Sequence, residues 1–85
     1  MTIVVFRKWN DGQIIALFPY EPWNHNGHMT TSYMHIGQHG AADYAGVISQ
    51  TSIPCKHEYQ KLLNELRSIG YNDLQILKRA KPKFR

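Results

Sequence analysis

The chain has 85 residues, ten of them basic and six acidic, which gives a formal net charge of +4. This length accommodates one domain with a single thin core, and the only cysteine, Cys55, excludes both a disulfide framework and a zinc site built on several thiolates. The longest apolar runs, IVVF and IIALF, have the length of strands and are far too short to span a bilayer.

The first two predicted elements are strands joined by a tight turn. Residues 2–8, TIVVFRK, and residues 13–19, QIIALFP, are rich in β-branched and aromatic side chains. An Asp-Gly pair between two such runs is typical of a two-residue hairpin turn, because both central positions need positive φ. We therefore predict a hairpin whose turn is formed by Asp11 and Gly12.

This hairpin would have two apolar faces. With the predicted turn, Phe6 lies opposite Leu17 and Val5 lies opposite Phe18. One helix covers only one face, and large exposed apolar patches usually mark a contact. We therefore predict a homodimer or a higher homo-oligomer, anchored by the aromatic side chains Trp9, Phe18 and Trp23. The alternative is that the loop carrying Trp23 seals the second face within one chain.

The middle of the chain is predicted to contain a loop, a third strand and an irregular stretch. Residues 20–29 contain proline, asparagine and glycine and are typical of a loop. Residues 30–36, TTSYMHI, alternate as a strand does. Glycines interrupt residues 37–46, and residues 47–50 are predicted to be a short extended piece.

The clearest predicted element is a helix over about residues 55–69. Its apolar side chains follow the spacing of one buried stripe: Tyr59, Leu62, Leu63, Leu66 and Ile69. Ser52 or Cys55 is positioned to cap the helix N-terminus, and Gly70 is positioned to close its C-terminus. A last strand is predicted over residues 74–79. The sequence therefore predicts an α+β fold, with a small, mostly antiparallel sheet of about four strands in the chain order β-β-β-α-β and one helix packed on one face.

Basic residues concentrate at the end of the chain, where five of the ten fall in the last eight positions. We predict one domain over residues 1–85 with a basic tail at residues 80–85. Such a tail favours polyanions, including nucleotides and nucleic acid, and the candidate anion contacts are Lys78, Arg79 and Lys81. The alternative is a solvated chain end that only keeps the protein soluble.

Residues 32–44, SYMHIGQHGAADY, contain the candidate functional site. Glycines let a backbone approach a ligand closely and point N–H groups at an anion, and tyrosines offer flat faces to a base. We predict a pocket for a phosphate-bearing, nucleotide-type ligand, lined by Tyr33, His35, Gly37, Gln38, His39, Gly40, Asp43 and Tyr44. Lys78 and Arg79 would neutralise its phosphates if the last strand lies beside the third. The alternative is a structural turn whose histidines bond to backbone carbonyls.

Metal binding and catalysis have weaker support in this segment. His35 and His39 would need further ligands from Asp43, His25 or His28, and no spacing fixes their geometry. We therefore predict no metal and no cofactor. No serine or cysteine lies in the pattern of an activated nucleophile. The sequence favours a protein that is not an enzyme, with a small hydrolase using the same two histidines and Asp43 as the alternative.

Four motifs resemble a family of small proteins found in bacteria, their plasmids and their phages. The motifs are VVFRKW, DGQIIALFP, SYMHIGQHGAADY and ELRSIGYNDLQILKR, and together they cover nearly the whole chain. No activity is established for that family, so the resemblance implies a mobile-element origin and assigns no catalytic residue. With no signal-peptide pattern at the N-terminus, we expect a cytoplasmic protein of a bacterial or phage-infected cell, without a membrane partner.

These observations lead to one functional hypothesis and an alternative. We expect a small binding protein that holds a nucleotide-type ligand and acts as a host-defence antagonist. The alternative is a protein-interaction module that inhibits a host nucleic-acid enzyme, or a protein that binds nucleic acid itself. Nucleic-acid binding would weaken steeply with salt, which separates it from the first hypothesis.

Overall fold

The parts of the chain that the structure describes form five strands and two helices. The structure is a computed structural model, and it describes residues 2–22, 29–34 and 38–79. The strands are β1 (Thr2–Lys8), β2 (Ile14–Pro22), β3 (Met29–Met34), β4 (Gln38–Asp43) and β5 (Leu74–Ile76). The helices are α1 (Tyr44–Gln50) and α2 (Lys56–Ser68).

The strands form one sheet in the order β4-β3-β2-β1-β5. Neighbouring strands are antiparallel except β1 and β5, which are parallel. The predicted α+β fold, with a mostly antiparallel sheet and a helix packed on it, is confirmed. Three elements differ from the prediction: β4 and α1 form where an irregular stretch and a short extended piece were expected, and β2 continues to Pro22, into the stretch predicted to be a loop. The last strand also ends at Ile76, before the predicted end at residue 79.

The turn between β1 and β2 contains three residues and not the predicted two. The Trp9 N–H donates to the Gln13 carbonyl at 2.8 Å, and the Gly12 N–H donates to the Trp9 carbonyl at 2.9 Å. Gly12 has a φ of +91°, as the last residue of a three-residue hairpin loop requires. The extra loop residue shifts the register by one, so Val5 pairs with Leu17, whereas Phe6 was predicted to lie there. The predicted pairs were therefore wrong, and Phe6 and Leu17 lie on opposite faces of the sheet.

Each face of the sheet contributes to its own buried cluster. The α2 core lies between the sheet and α2 and contains Val4, Phe6, Ala16, Phe18, Tyr33, Leu62, Leu63 and Leu66. The α1 core lies on the other face and contains Val5, Ile15, Leu17, Ala42, Tyr44 and Val47. Strand residues alternate between the two clusters, as the pleat of a strand requires. Two thin apolar layers therefore stabilise the fold, where the sequence predicted one.

Helix α1 covers the face that was predicted to stay bare. Val5 and Leu17 are fully buried on that face. Phe18, predicted as an interface anchor, is fully buried on the other face, and its ring stacks on Tyr71 with the ring centroids 5.1 Å apart. The bare apolar face from which we predicted a homo-oligomer is therefore absent from the described part of the chain. The homo-oligomer stays a prediction, and Trp23 lies outside the described residues.

Helix α2 begins and ends at the caps that the sequence indicated. Cys55 is the N-cap residue, and the Glu58 carboxylate accepts a hydrogen bond from the Cys55 N–H at 2.8 Å. At the other end the Tyr71 N–H donates to the Leu66 carbonyl at 3.1 Å, and Gly70 has a φ of +120°. This is a Schellman closure with glycine in the left-handed position. Because both signals are local, the predicted bounds of this helix were close to those observed.

The Glu58 carboxylate also pairs with the Lys8 ammonium, and this pair makes folding sensitive to acid. Hydrogen bonds from Lys8 and then from the Cys55 N–H lower the pKa of Glu58 from 4.5 to about 2. A carboxyl group whose folded pKa is lowered stabilises the fold above its unfolded pKa, and this stabilisation is lost as the pH falls through the folded pKa. We therefore expect the free energy of unfolding to decrease between pH 4.5 and pH about 2. Urea titrations across this range measure the slope.

The variant Glu58→Gln is expected to flatten this slope, because glutamine keeps an oxygen for the Cys55 N–H but carries no charge. Lys8→Gln removes the other partner and is expected to flatten most of the same slope. The double variant should reduce the slope no further than Glu58→Gln does alone, because both substitutions remove the same Lys8–Glu58 interaction. An unchanged slope in Glu58→Gln would contradict the assignment.

Candidate functional site

An open groove runs along the sheet face beside α1. It consists of two adjoining hollows, and Trp9 and Met34 line both of them. The hollow beside β4 has a volume of about 420 Å³, and its other lining residues include Ser32, Gly40, Asp43 and Val47. The hollow beside the β1–β2 turn is also lined by Gln13, Gln50 and Thr51. We refer to the two hollows together as the α1 groove.

The indole of Trp9 lies where the two hollows meet. The side chain is half-buried and packs against the α1 core. Its Nε1 atom is buried and has no hydrogen-bond partner among the residues that the structure describes. An indole N–H only donates, and buried donors in proteins are nearly always paired. The side chain that lines both hollows of the α1 groove therefore carries a buried donor without an acceptor among the described residues.

Other polar groups in the α1 groove differ in whether they are already bonded. The hydroxyls of Ser32 and Thr51 donate to backbone carbonyls at 2.9 and 2.6 Å. Asp43 is exposed, and its carboxylate makes no hydrogen bond to the start of α1. A Cβ at Gly46 would lie 2.9 Å from Asp43 Oδ2, so glycine at that position leaves room for the carboxylate. The groove thus combines a donor at the indole with an acceptor at Asp43.

Arg7 fixes the helical wall of the α1 groove. This side chain on β1 is only 7% exposed. Its guanidinium donates to Thr51 Oγ1 at 2.9 Å, to the Thr51 carbonyl at 2.7 Å and to the Ile48 carbonyl at 3.1 Å. Carbonyls at the end of a helix have no partner within the helix, and the helix dipole makes that end negative. Arg7 therefore satisfies the C-terminus of α1 and holds it against the sheet.

The structure separates the two tyrosines that were predicted to share a ligand. Tyr33 is 1% exposed in the α2 core, and its hydroxyl donates to the Glu65 carboxylate. Tyr44 is 6% exposed in the α1 core. The two rings therefore lie on opposite faces of the sheet and do not form one pocket wall. Of the predicted ligand-binding residues, Gly40 and Asp43 do line the α1 groove.

The histidine part of the predicted site is described only in part. The backbones of Gln38 and His39 belong to β4, which pairs with β3. His35, Gly37 and Lys81 lie outside the described residues. The ligand contacts predicted for these five residues therefore stay predictions.

The basic residues beyond β5 lie far from β3. Lys78 and Arg79 are exposed, and the strand before them pairs with β1 at one end of the sheet. β1 and β2 stand between β5 and β3, and strands are spaced about 4.8 Å apart, so roughly 14 Å separates β5 from β3. The condition for the predicted arrangement, a last strand beside the third, is therefore not met, and the ligand contacts of Lys78 and Arg79 stay predictions. The reason is that α2 returns the chain to the open side of β1.

Sequence reasoning missed the two residues that organise the α1 groove. Trp9 was predicted as an interface anchor, and Arg7 was given no role. The available signal was the position of Arg7 within the apolar strand TIVVFRK. A charged side chain on a covered face of a sheet is buried and needs hydrogen-bond acceptors, so its presence there indicates an element with unpaired carbonyls nearby.

Comparisons with known proteins add no assignment. A scan against protein-family models, a search of curated proteins and a search of solved structures each gave no match. The family resemblance proposed from the motifs therefore stays a prediction. Within the described ranges, no three His, Cys, Asp or Glu side chains form a group that could hold a metal ion. No helix in the same ranges has both the length and the apolar character needed to cross a membrane.

Proposed function

We propose that the protein is a small binding protein, without a catalytic step, that holds the base of a nucleotide-type ligand in the α1 groove. The observation that carries this proposal is the buried Nε1–H of Trp9, which has no partner among the described residues and belongs to a side chain that lines the groove. A ligand that brings an acceptor to this atom would remove the desolvation penalty of the unpaired donor.

The apolar part of the α1 groove supports a flat ring as the ligand. Trp9 offers an indole face, and Met34 offers a polarisable thioether that contacts aromatic rings favourably. Stacking of a nucleobase on an aromatic side chain contributes about 1–3 kcal/mol. The volume of about 420 Å³ in the hollow beside β4 lies within the usual range for small-molecule sites.

The polar groups of the α1 groove support a nucleobase over a purely apolar ring. The edge of a base carries ring nitrogens or carbonyl oxygens that accept hydrogen bonds, and adenine, guanine and cytosine also carry an amino group that donates. Trp9 supplies the donor and Asp43 supplies a carboxylate acceptor in the same hollow. A base with an exocyclic amino group is therefore the ligand chemistry that matches both.

The base, and not the phosphate, is the proposed determinant of binding. Among the described residues, no basic side chain lines the α1 groove. Phosphates would extend into solvent or toward parts of the chain outside the described residues. Sequestration of a host nucleotide, and hence antagonism of a host defence, is the biological role that we propose such binding serves.

The test uses Trp9→Phe, which keeps an aromatic ring and removes the N–H. We expect adenosine, guanosine or cytidine to raise the melting temperature of the protein by an amount that grows with nucleoside concentration. In Trp9→Phe the dissociation constant should rise about tenfold, because one hydrogen bond contributes about 1–1.5 kcal/mol. Thermal-shift measurements and isothermal titration calorimetry give both quantities.

The control is the stability of Trp9→Phe measured without ligand. Trp9 packs against the α1 core, so the smaller ring of Trp9→Phe is expected to lower the stability of the free protein, and binding is therefore compared at a temperature at which both proteins are folded. Two results would overturn the proposal. One is equal nucleoside affinity in both proteins, and the other is a shift with ribose 5-phosphate as large as that with adenosine monophosphate.

A further inference from the structure

A second cleft lies on the α2 side of the sheet, where β5 ends beside β1 and α2 begins. β1 and β5 are parallel, and β5 ends at Ile76, opposite Val4, whereas β1 continues to Lys8. The residues that begin α2 line the cleft together with Phe6 of β1 and Ile76 at the end of β5. We refer to this feature as the α2 cleft.

The floor of the α2 cleft is apolar. The rings of Phe6 and Tyr59 stack in parallel, with centroids 4.5 Å apart and an interplanar angle of 2°. Ile76 contributes from the end of β5, and Ile53, which is 43% exposed, contributes from the segment before α2. The cleft has a volume of about 420 Å³. An apolar chain or ring placed there would cover the exposed carbon of Ile53 and the half-buried side chains of Tyr59 and Ile76.

The rim of the α2 cleft is positively charged. Lys56 and Lys78 both line it and are exposed. Among the described residues, neither has a carboxylate within ion-pair distance, and the neighbouring Glu58 is already paired with Lys8. The N–H groups at the start of α2 add partial positive charge at the same place. The charge of this rim is therefore complementary to an anion.

We propose that the α2 cleft binds a small amphiphilic anion, an apolar chain or ring that ends in a carboxylate. The apolar body would lie on Ile53, Tyr59 and Ile76, and the carboxylate would lie between Lys56 and Lys78. This site is separate from the proposed nucleobase site, because the two lie on opposite faces of the sheet. Each proposal can therefore fail without the other.

Octanoate is the probe, and the single cysteine of the chain is the reporter. Cys55 is exposed and lines the α2 cleft, so its alkylation by iodoacetamide depends on access to the cleft. We expect octanoate to slow the alkylation in a saturable manner. Octylamine, which has the same chain and the opposite charge, should not slow it, and neither should acetate, which has no apolar chain.

The lysines are tested with a matched control. In the double variant K56Q/K78Q the dissociation constant of octanoate, measured by calorimetry, should rise about tenfold, or roughly threefold for each exposed charge pair lost. The affinity of this double variant for octanoate should also depend much less on salt concentration than the affinity of the unchanged protein does. Lys61→Gln removes an exposed lysine of α2 that does not line the cleft and should leave the affinity unchanged.

Four outcomes would overturn the proposal. Equal protection of Cys55 by octylamine would show that only apolar contact matters, and equal protection by inorganic phosphate would show that any anion suffices. Unchanged affinity in K56Q/K78Q would remove the role of the lysines. An equal loss of octanoate affinity in Lys61→Gln would show that Lys56 and Lys78 act only through the net charge of the protein.

Discussion

Replacing Arg7 by lysine is expected to lower the free energy of unfolding by about 3 kcal/mol. Lysine keeps the charge but cannot form the planar set of hydrogen bonds that the guanidinium makes to Thr51 and Ile48. Hydrogen bonds from a charged donor contribute about 1.5–3 kcal/mol each, and a buried group left unpaired adds a further penalty. In a domain of this size, each kcal/mol shifts the melting temperature by about 4–8 °C, so calorimetry should show a decrease of more than about 10 °C.

Arg67→Lys is the matched control for this substitution. Arg67 lies in the last turn of α2 and is exposed, so its exchange for lysine should change the stability by less than about 0.5 kcal/mol. A similar loss in both variants would show that the effect is not specific to the end of α1. Little loss in Arg7→Lys would show that α1 is held against the sheet by its apolar contacts alone.

Arg7 also links the stability of the fold to the shape of the α1 groove. Among the described residues this buried cation has no carboxylate partner, and the end of α1 supplies its acceptors instead. The same helix end carries Thr51, which lines the α1 groove. A side chain in the interior of the protein thus determines the position of a surface wall, and a change at Arg7 should act on ligand binding through that wall.

Helix α2 was predictable because everything that defines it is local in sequence. Its apolar stripe, its capping pair of Cys55 and Glu58 and its closing Gly70 lie within a single run of residues. Such patterns indicate a helix whatever packs on it. The same reasoning predicted the strands β1, β2 and β3 and the overall fold class.

Strand β4 and helix α1 were not predictable in this way, because glycine lies inside each of them. Gly40 is opposite Ser32, whose hydroxyl donates to its carbonyl at 2.9 Å, and Gly46 leaves space for Asp43. Both glycines are unfavourable by intrinsic propensity; Gly40 pairs with Ser32 on β3, and Gly46 lies against Asp43, three residues before it. The sequence pattern carries no record of those contacts, so the segment was interpreted as irregular.

Only part of the candidate site was predicted, and the reason is related. Alternation along β3 indicates which residues share a face but not which element covers that face. Gly40 and Asp43 do line the α1 groove, whereas Tyr33 faces α2. The sheet order, which places β5 beside β1, depends on the path of the chain through α2 and has no local signature.

Replacing Tyr33 by phenylalanine is expected to lower the free energy of unfolding by about 1.5–2 kcal/mol. The ring fills the same space in the α2 core, so the change removes only the hydroxyl and its hydrogen bond to the Glu65 carboxylate. Hydrogen bonds to charged groups contribute about 1.5–3 kcal/mol, and the half-buried carboxylate loses one donor. Urea unfolding at neutral pH measures the loss.

Tyr59→Phe is the matched control, because it removes a hydroxyl from the same core. Tyr59 stacks on Phe6, and within the described chain its hydroxyl makes no hydrogen bond, so its loss should cost less than about 0.5 kcal/mol. Assigning Tyr33 to the α2 core or to the ligand site also predicts different results for the effect of nucleosides on the melting temperature. If Tyr33 is a core residue, Tyr33→Phe lowers the melting temperature but keeps the same nucleoside-induced rise as the unchanged protein. Loss of that rise in Tyr33→Phe, with the rise intact in Trp9→Phe, would return Tyr33 to the ligand site and remove Trp9 from it.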